Sequence, residues 1–120
     1  MAKAVGIGGV FLRSANPDAI AAWYKTHLGI DMSAGAWIQA GGPTVFQPFP
    51  QDSTYFSPDR SVMLNFRVDD LDALLTQLDN SGVEYQTDES WNSEIGRFAR
   101  IHDPDGNPVE LWEPAGPAAL

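Results

Sequence analysis

Cysteine is absent from all 120 residues, which excludes disulfide frameworks, thiolate metal sites, redox pairs and cysteine nucleophiles together. Basic residues are scarce: seven Lys and Arg stand against sixteen Asp and Glu, giving a net charge of −9. The seven are scattered rather than gathered into a stripe, so the field repels phosphate backbones and anionic lipid. Neither a nucleic-acid nor a membrane partner is expected. There are only two histidines, His27 and His102, and neither has a second histidine at the i+3 or i+4 spacing that a helical metal site needs. No apolar run is long enough to span a bilayer, and Met1 to Val5 lacks the apolar core of a signal peptide. The expectation is a cytoplasmic protein.

What is present is enough for a real core. Hydrophobic residues make up 43% of the chain, so a single domain over residues 1–120 can fold without covalent or metal staples. Val5 to Arg13 reads as a strand. It runs into Ser14-Ala15-Asn16-Pro17, where Asn16 can cap a helix and Pro17 can occupy its first turn. Ile20, Trp23, Tyr24 and Leu28 then recur at helical spacing until Gly29 supplies a left-handed stop. The same order returns in the second half: strand Ser61 to Val68, acids Asp69 and Asp70 at the cap, Leu71, Leu74, Leu75 and Leu78 on one helix face, and Gly82 as the stop. Extended stretches follow each stop: Ile30 to Ser33, Ala36 to Ala40 and Thr44 to Phe49, then Val83 to Thr87, Arg97 to Asp103 and Val109 to Glu113. The expected fold class is α+β, two βαβββ modules (about 5–50 and 61–114) whose curled mixed sheet closes around a cup.

Strand alternation assigns faces. Val62, Leu64, Phe66 and Val68 share one side and would pack on the leucines of the following helix, leaving Met63, Asn65 and Arg67 on the other. Val109 and Leu111 likewise oppose Glu110 and Trp112. A non-helix face that mixes Asn, Arg, Glu, Met and Trp is either solvated or lines a cavity, and its bulky aromatics favour the cavity. Asp103-Pro104-Asp105-Gly106-Asn107 carries strong turn chemistry and makes the last two strands a hairpin. Two irregular stretches, Pro48 to Arg60 with Tyr55 and Phe56, and Asp88 to Gly96 with Trp91, are either lids over the pocket or simple surface loops.

Three motifs carry a resemblance over about Val5 to Glu113: Asn16 to Gly29 with its Trp-Tyr…His-Leu-Gly, Phe66 to Leu71, and Asp103-Pro104-Asp105-Gly106-Asn107-Pro108-Val109-Glu110-Leu111. Together they are similar to the vicinal oxygen chelate superfamily, which includes glyoxalase I, bleomycin-resistance proteins, fosfomycin-resistance enzymes and extradiol dioxygenases. The resemblance implies paired modules forming a cup and frequently a homodimer. Catalytic members hold a divalent metal with side chains from the first and last strand of each module. Carried over by position, these places fall on Glu110, on Gly9 and Met63, which cannot bind a hard cation, and near Gln47. One carboxylate and one amide fall short of the usual three or four protein ligands, so neither a metal nor another cofactor is expected. His27, in the last helical turn, and His102, before the hairpin turn, lie off these positions.

Glu110 is the residue singled out for catalysis, because a carboxylate beside Trp112 in an apolar cup suits proton transfer. Its alternative is an ion pair to Arg67, Arg97 or Arg100 that holds the sheet together. The ligand-contacting set comprises Phe11, Trp37, Gln47, Met63, Asn65, Arg67, Trp91, Arg97 and Trp112, with Arg67 a possible clamp for a substrate anion. Two functions follow. One is a bleomycin-resistance-like protein that binds a small, partly aromatic molecule in a metal-free cup between two chains. The other is a metal-independent isomerase, epimerase or lyase with Glu110 as base and Asn65 or an arginine polarising an oxygen. A divalent-metal lyase or dioxygenase would need ligands supplied from elsewhere.

Overall fold

The helices begin where the sequence places their caps. In the computed structural model, which describes residues 1–116, helix α1 (Pro17–Leu28) starts at Asn16, whose side chain accepts from the Ala19 N–H at 3.2 Å. Helix α2 (Leu71–Asn80) starts at Asp70, whose carboxylate accepts from the Ala73 N–H at 3.0 Å. Each cap satisfies an N–H that has no partner within its helix. Gly29 closes α1 at φ 71°, and Gly82, at φ 73°, follows the end of α2; both sit in the left-handed region that an L side chain resists.

Three strands form one mixed sheet: β1 (Leu64–Arg67), β2 (Gly96–His102) and β3 (Pro108–Pro114), in the order β1-β3-β2. β3 lies centrally, parallel to β1 and antiparallel to β2. The β2–β3 hairpin turns on Asp103, as the turn chemistry predicts. Its carboxylate accepts from the N–H groups of Asp105 (3.0 Å) and Asn107 (2.9 Å), from Asn107 Nδ2 (2.8 Å) and from the Tyr24 hydroxyl of α1 (2.7 Å). One buried acid therefore fixes both the turn and the helix that covers the sheet.

The core lies between the helices and one face of this sheet. Ile20 and Tyr24 of α1 and Leu71 and Leu78 of α2 pack with Ala99, Ile101, Val109 and Leu111, the last four being fully buried. The alternation read from the sequence holds for Phe66 and Val68, which pack against the core, Phe66 with the Tyr24 ring at a centroid distance of 6.2 Å, whereas Val62 precedes β1 and is exposed. Glu113 ties β3 to α2 by accepting from the Leu71 N–H at 2.9 Å.

The first module differs from expectation. Among the described residues, the stretches expected as strands at Val5 to Arg13, Ile30 to Ser33, Ala36 to Ala40 and Thr44 to Phe49 pair with nothing, and the second strand of module two, Val83 to Thr87, is reduced to a bridge between Gln86 and Arg100. A paired βαβββ duplication is therefore not what the single chain displays; a mixed sheet of three strands with two helices is. The physical reason is the lack of a neighbour, since an extended segment becomes a strand only when its N–H and C=O groups find a ladder partner. The apolar side chains there stay out in solvent, Val5 at 93%, Phe11 at 95% and Phe46 at 88% exposure. Residues 117–120 of the expected domain lie outside the described residues. Among the described residues, no helix is long and apolar enough to cross a membrane.

Candidate functional site

The register of β3 brings the polar residues of the sheet's other face together. Glu110 lies between Asn65 on β1 and Arg100 on β2, and Trp112 between Arg67 and Phe98. Glu110 is buried although it stands on the face away from the helices. Asn65 Nδ2 donates to its Oε1 at 2.7 Å, and the Tyr55 hydroxyl donates to its Oε2. Among the described residues, no arginine reaches ion-pair distance of Glu110; its charge is met by an amide and a phenol.

Aromatic rings cover this group. Tyr55 and Trp91 meet edge to face at 6.3 Å, and Phe49 packs on Tyr55 at 5.6 Å. Trp91 closes a short 3-10 turn, Glu89–Trp91, that the Asp88 side chain caps through the Ser90 N–H at 2.9 Å. Both irregular stretches thus send an aromatic residue over the sheet. Below them, Trp112 is buried, stacks on Phe98 with rings 6.0 Å apart and 4° from parallel, and donates its indole N–H to the Ile95 carbonyl at 2.9 Å. Gly96 is needed there, because a Cβ at its φ of 142° would run into the Glu113 carbonyl and the Trp112 indole.

The remaining expected ligand contacts divide. Asn65, Trp91 and Trp112 join Glu110, and Met63, half-buried, precedes β1 on the same alternation. Arg67 is on this face, but both Nη atoms are occupied, donating to the carbonyls of Gly41 (3.0 Å) and Ala40 (2.9 Å) and strapping that loop to β1. Arg97 is not part of the group. It shares the parity of Ala99 and Ile101 and pairs with Asp72 at 3.0 Å and Glu113 at 3.4 Å. Trp37 rests edge to face on Phe66, a residue of the helix side, at 6.1 Å. Phe11 and Gln47 are exposed. Two residues that sequence reasoning did not place at the site belong to it by contact: Tyr55, flagged only as part of a loop, and Arg100, considered only as an ion-pair partner.

Two open clefts lie beside the sheet. One, of about 550 Å³, is lined by Asp79, Glu84, Tyr85, Gln86, Arg100 and His102; the other, of about 250 Å³, lies beside Leu12, Arg60, Val62 and Leu64. The donor set around Glu110 does not fit a divalent metal. Asn65 turns its amide nitrogen, not its oxygen, to the carboxylate, Tyr55 is a protonated phenol, and among the described residues no three His, Asp or Glu side chains gather at one point.

Burial pushes the Tyr55 hydroxyl up to about 12, with its bond to Glu110 adding to the rise, and burial together with Asp103 pushes Tyr24 higher still. Unfolded tyrosine titrates near about 10, so both hydroxyls keep their protons to higher pH in the folded chain. Their contribution to stability is complete below about pH 10 and is lost as pH rises through the folded-state values. The urea midpoint is therefore expected to fall from about pH 10 to about pH 12, and Tyr24→Phe combined with Tyr55→Phe to flatten that fall. A wild-type midpoint constant over this window contradicts the assignment.

The sheet, its two helices and a buried carboxylate under an aromatic cover define a small α+β domain with one polar, ring-covered sheet face. The chain belongs to the glyoxalase-like domain family, which matches residues 9–112, in agreement with the three sequence motifs. Among solved structures it is similar to TnmS3, an antibiotic binding protein from Streptomyces sp. CB03234. The identity is 26%, with a TM-score of 0.57 over 93% of this chain and 100% of that one. No curated protein matches it.

Proposed function

We propose that this chain binds a small, aromatic-rich organic molecule of antibiotic type on the sheet face around Glu110, without a metal and without turnover. The observation that carries the reading is the aromatic cover: Tyr55 and Trp91 close over a buried carboxylate whose neighbours are Asn65 and Trp112. Flat apolar walls with a few convergent polar groups are what a small-molecule site requires. The likeness to an antibiotic binding protein over nearly the whole chain supports it, and the net charge of −9 would draw in a cationic compound. A second reading, proton transfer by Glu110, rests on the direct contact between its carboxylate and the Tyr55 hydroxyl.

The proposal includes a homodimer in the cytoplasm. The exposed apolar side chains of the first module, Val5, Phe11 and Phe46 among them, are the surface that a second copy would cover. Sedimentation should give twice the chain mass; a monomer at all concentrations contradicts the dimer.

The deciding experiment titrates tryptophan fluorescence with a panel of aromatic and cationic antibiotics, bleomycin included, and then recovers the bound compound. Saturable binding with the compound recovered unchanged, and affinity within about threefold of wild type in Glu110→Gln, is the expected result. Chemical conversion by wild type that Glu110→Gln loses while still binding would replace this reading with the catalytic one.

A further inference from the structure

Arg100 is the feature that the reading above leaves unexplained. It is only 6% exposed, and its Nη1 donates to the Tyr55 carbonyl at 3.1 Å, while Nε and Nη2, also buried, have no partner among the described residues. The guanidinium lies over the rings of Tyr55 and Trp91, 5.0 and 5.4 Å from their centroids. Its cross-strand neighbour Glu110 stands beyond ion-pair distance, with its carboxylate turned to Asn65 and Tyr55. Arg60, Arg67 and Arg97 all have acceptors. A buried cation without an ion-pair contact and without two of its acceptors is costly to keep.

The two free nitrogens are not an arbitrary pair. Nε–H and Nη2–H point the same way along one edge of the planar guanidinium, the edge that takes both oxygens of a carboxylate. The rings beside it favour a carboxylate mounted on an aromatic group, which could pack against Tyr55 or Trp91. Access comes from the cleft of about 550 Å³ that Arg100 lines together with Gln86 and His102. Asp79 and Glu84 line the same cleft and disfavour a molecule that is anionic as a whole.

We infer that the Nε/Nη2 edge of Arg100 is the anchor for the carboxylate of an aromatic ligand whose remaining groups are neutral or cationic. This rests on the small-molecule reading and names the ligand chemistry of that site.

Calorimetry with para-aminomethylbenzoate and its carboxamide isolates the carboxylate. Wild type is expected to prefer the carboxylate roughly tenfold or more, as a charge-assisted bidentate contact should. Arg100→Gln should erase that preference, bringing the affinities for carboxylate and carboxamide level. Arg100→Lys, which keeps the charge and loses the fork, should retain only part of it, and near-ultraviolet circular dichroism checks that each variant is folded. Equal affinity of wild type for both probes, or an undiminished preference in Arg100→Gln or, should that variant not fold, in Arg100→Lys, overturns the anchor and leaves the small-molecule site standing. Failure of wild type to bind either probe also overturns the anchor, and the antibiotic titration then decides the site separately.

Discussion

Trp112→Ala is expected to lose roughly 3–5 kcal/mol of stability and, with it, ligand binding at every concentration tested. The indole covers the face of the central strand away from the helices, stacked on Phe98 and bonded to the Ile95 carbonyl. Truncation removes a large buried surface and takes away one of the two N–H donors to the Ile95 carbonyl, the other being Ala115. Trp112→Phe separates the two contributions, since it keeps a ring against Phe98 and gives up only the N–H. It should cost about 1–2 kcal/mol and keep binding within an order of magnitude. Urea unfolding with a fluorescence titration on the folded variants measures both. A Trp112→Ala protein that is as stable as wild type would mean that this face is not packed.

Asp103→Ala carries the next largest effect, roughly 3–4 kcal/mol. Asp103 receives four hydrogen bonds while only 4% exposed; deleting it leaves the Tyr24 hydroxyl without an acceptor and loosens the hairpin turn. Tyr24→Phe alone should cost only about 1–2 kcal/mol, because it removes the donor and leaves Asp103 its other partners. The two changes share one hydrogen bond, so the double variant should be less destabilised than the sum of the singles. Full additivity would show that the bond between α1 and the turn contributes nothing.

The legible part of the site was the part set by strand parity. Asn65, Glu110 and Trp112 follow from a repeat of two along β1 and β3, and the register then delivers the Asn65–Glu110 bond without further assumption. The same parity, applied to β2, sets Arg97 with Ala99 and Ile101 on the helix side and Arg100 with Phe98 on the other. Arg97, expected among the ligand contacts, therefore stands on the opposite face. Tyr55 was beyond reach in another way. Its hydroxyl meets a carboxylate 55 residues away through a loop with no periodicity, and no local rule fixes how such a loop closes. Trp91 was flagged because an exposed indole needs something to cover.

The fold divides along the same line. Helix caps at Asn16 and Asp70 and the Asp103 turn are local chemistry, and they stand where the sequence puts them. Strands of the first module are a different case: apolar alternation shows that a segment can be a strand, whereas pairing depends on a neighbour elsewhere. In the isolated chain Val5, Phe11 and Phe46 have none, and those segments stay irregular.

The four tryptophans provide the most direct test of where a ligand sits. Trp91 and Trp112 belong to the Glu110 face, whereas Trp23 lies on α1 against His27 and Trp37 against Phe66. Side-chain indole N–H resonances, assigned by substitution, can be followed while a compound that binds in the antibiotic titration is added. The resonances of Trp91 and Trp112 should shift and saturate together, with those of Trp23 and Trp37 unmoved. Saturable shifts confined to Trp23 or Trp37 would place the ligand away from Glu110 and contradict the site.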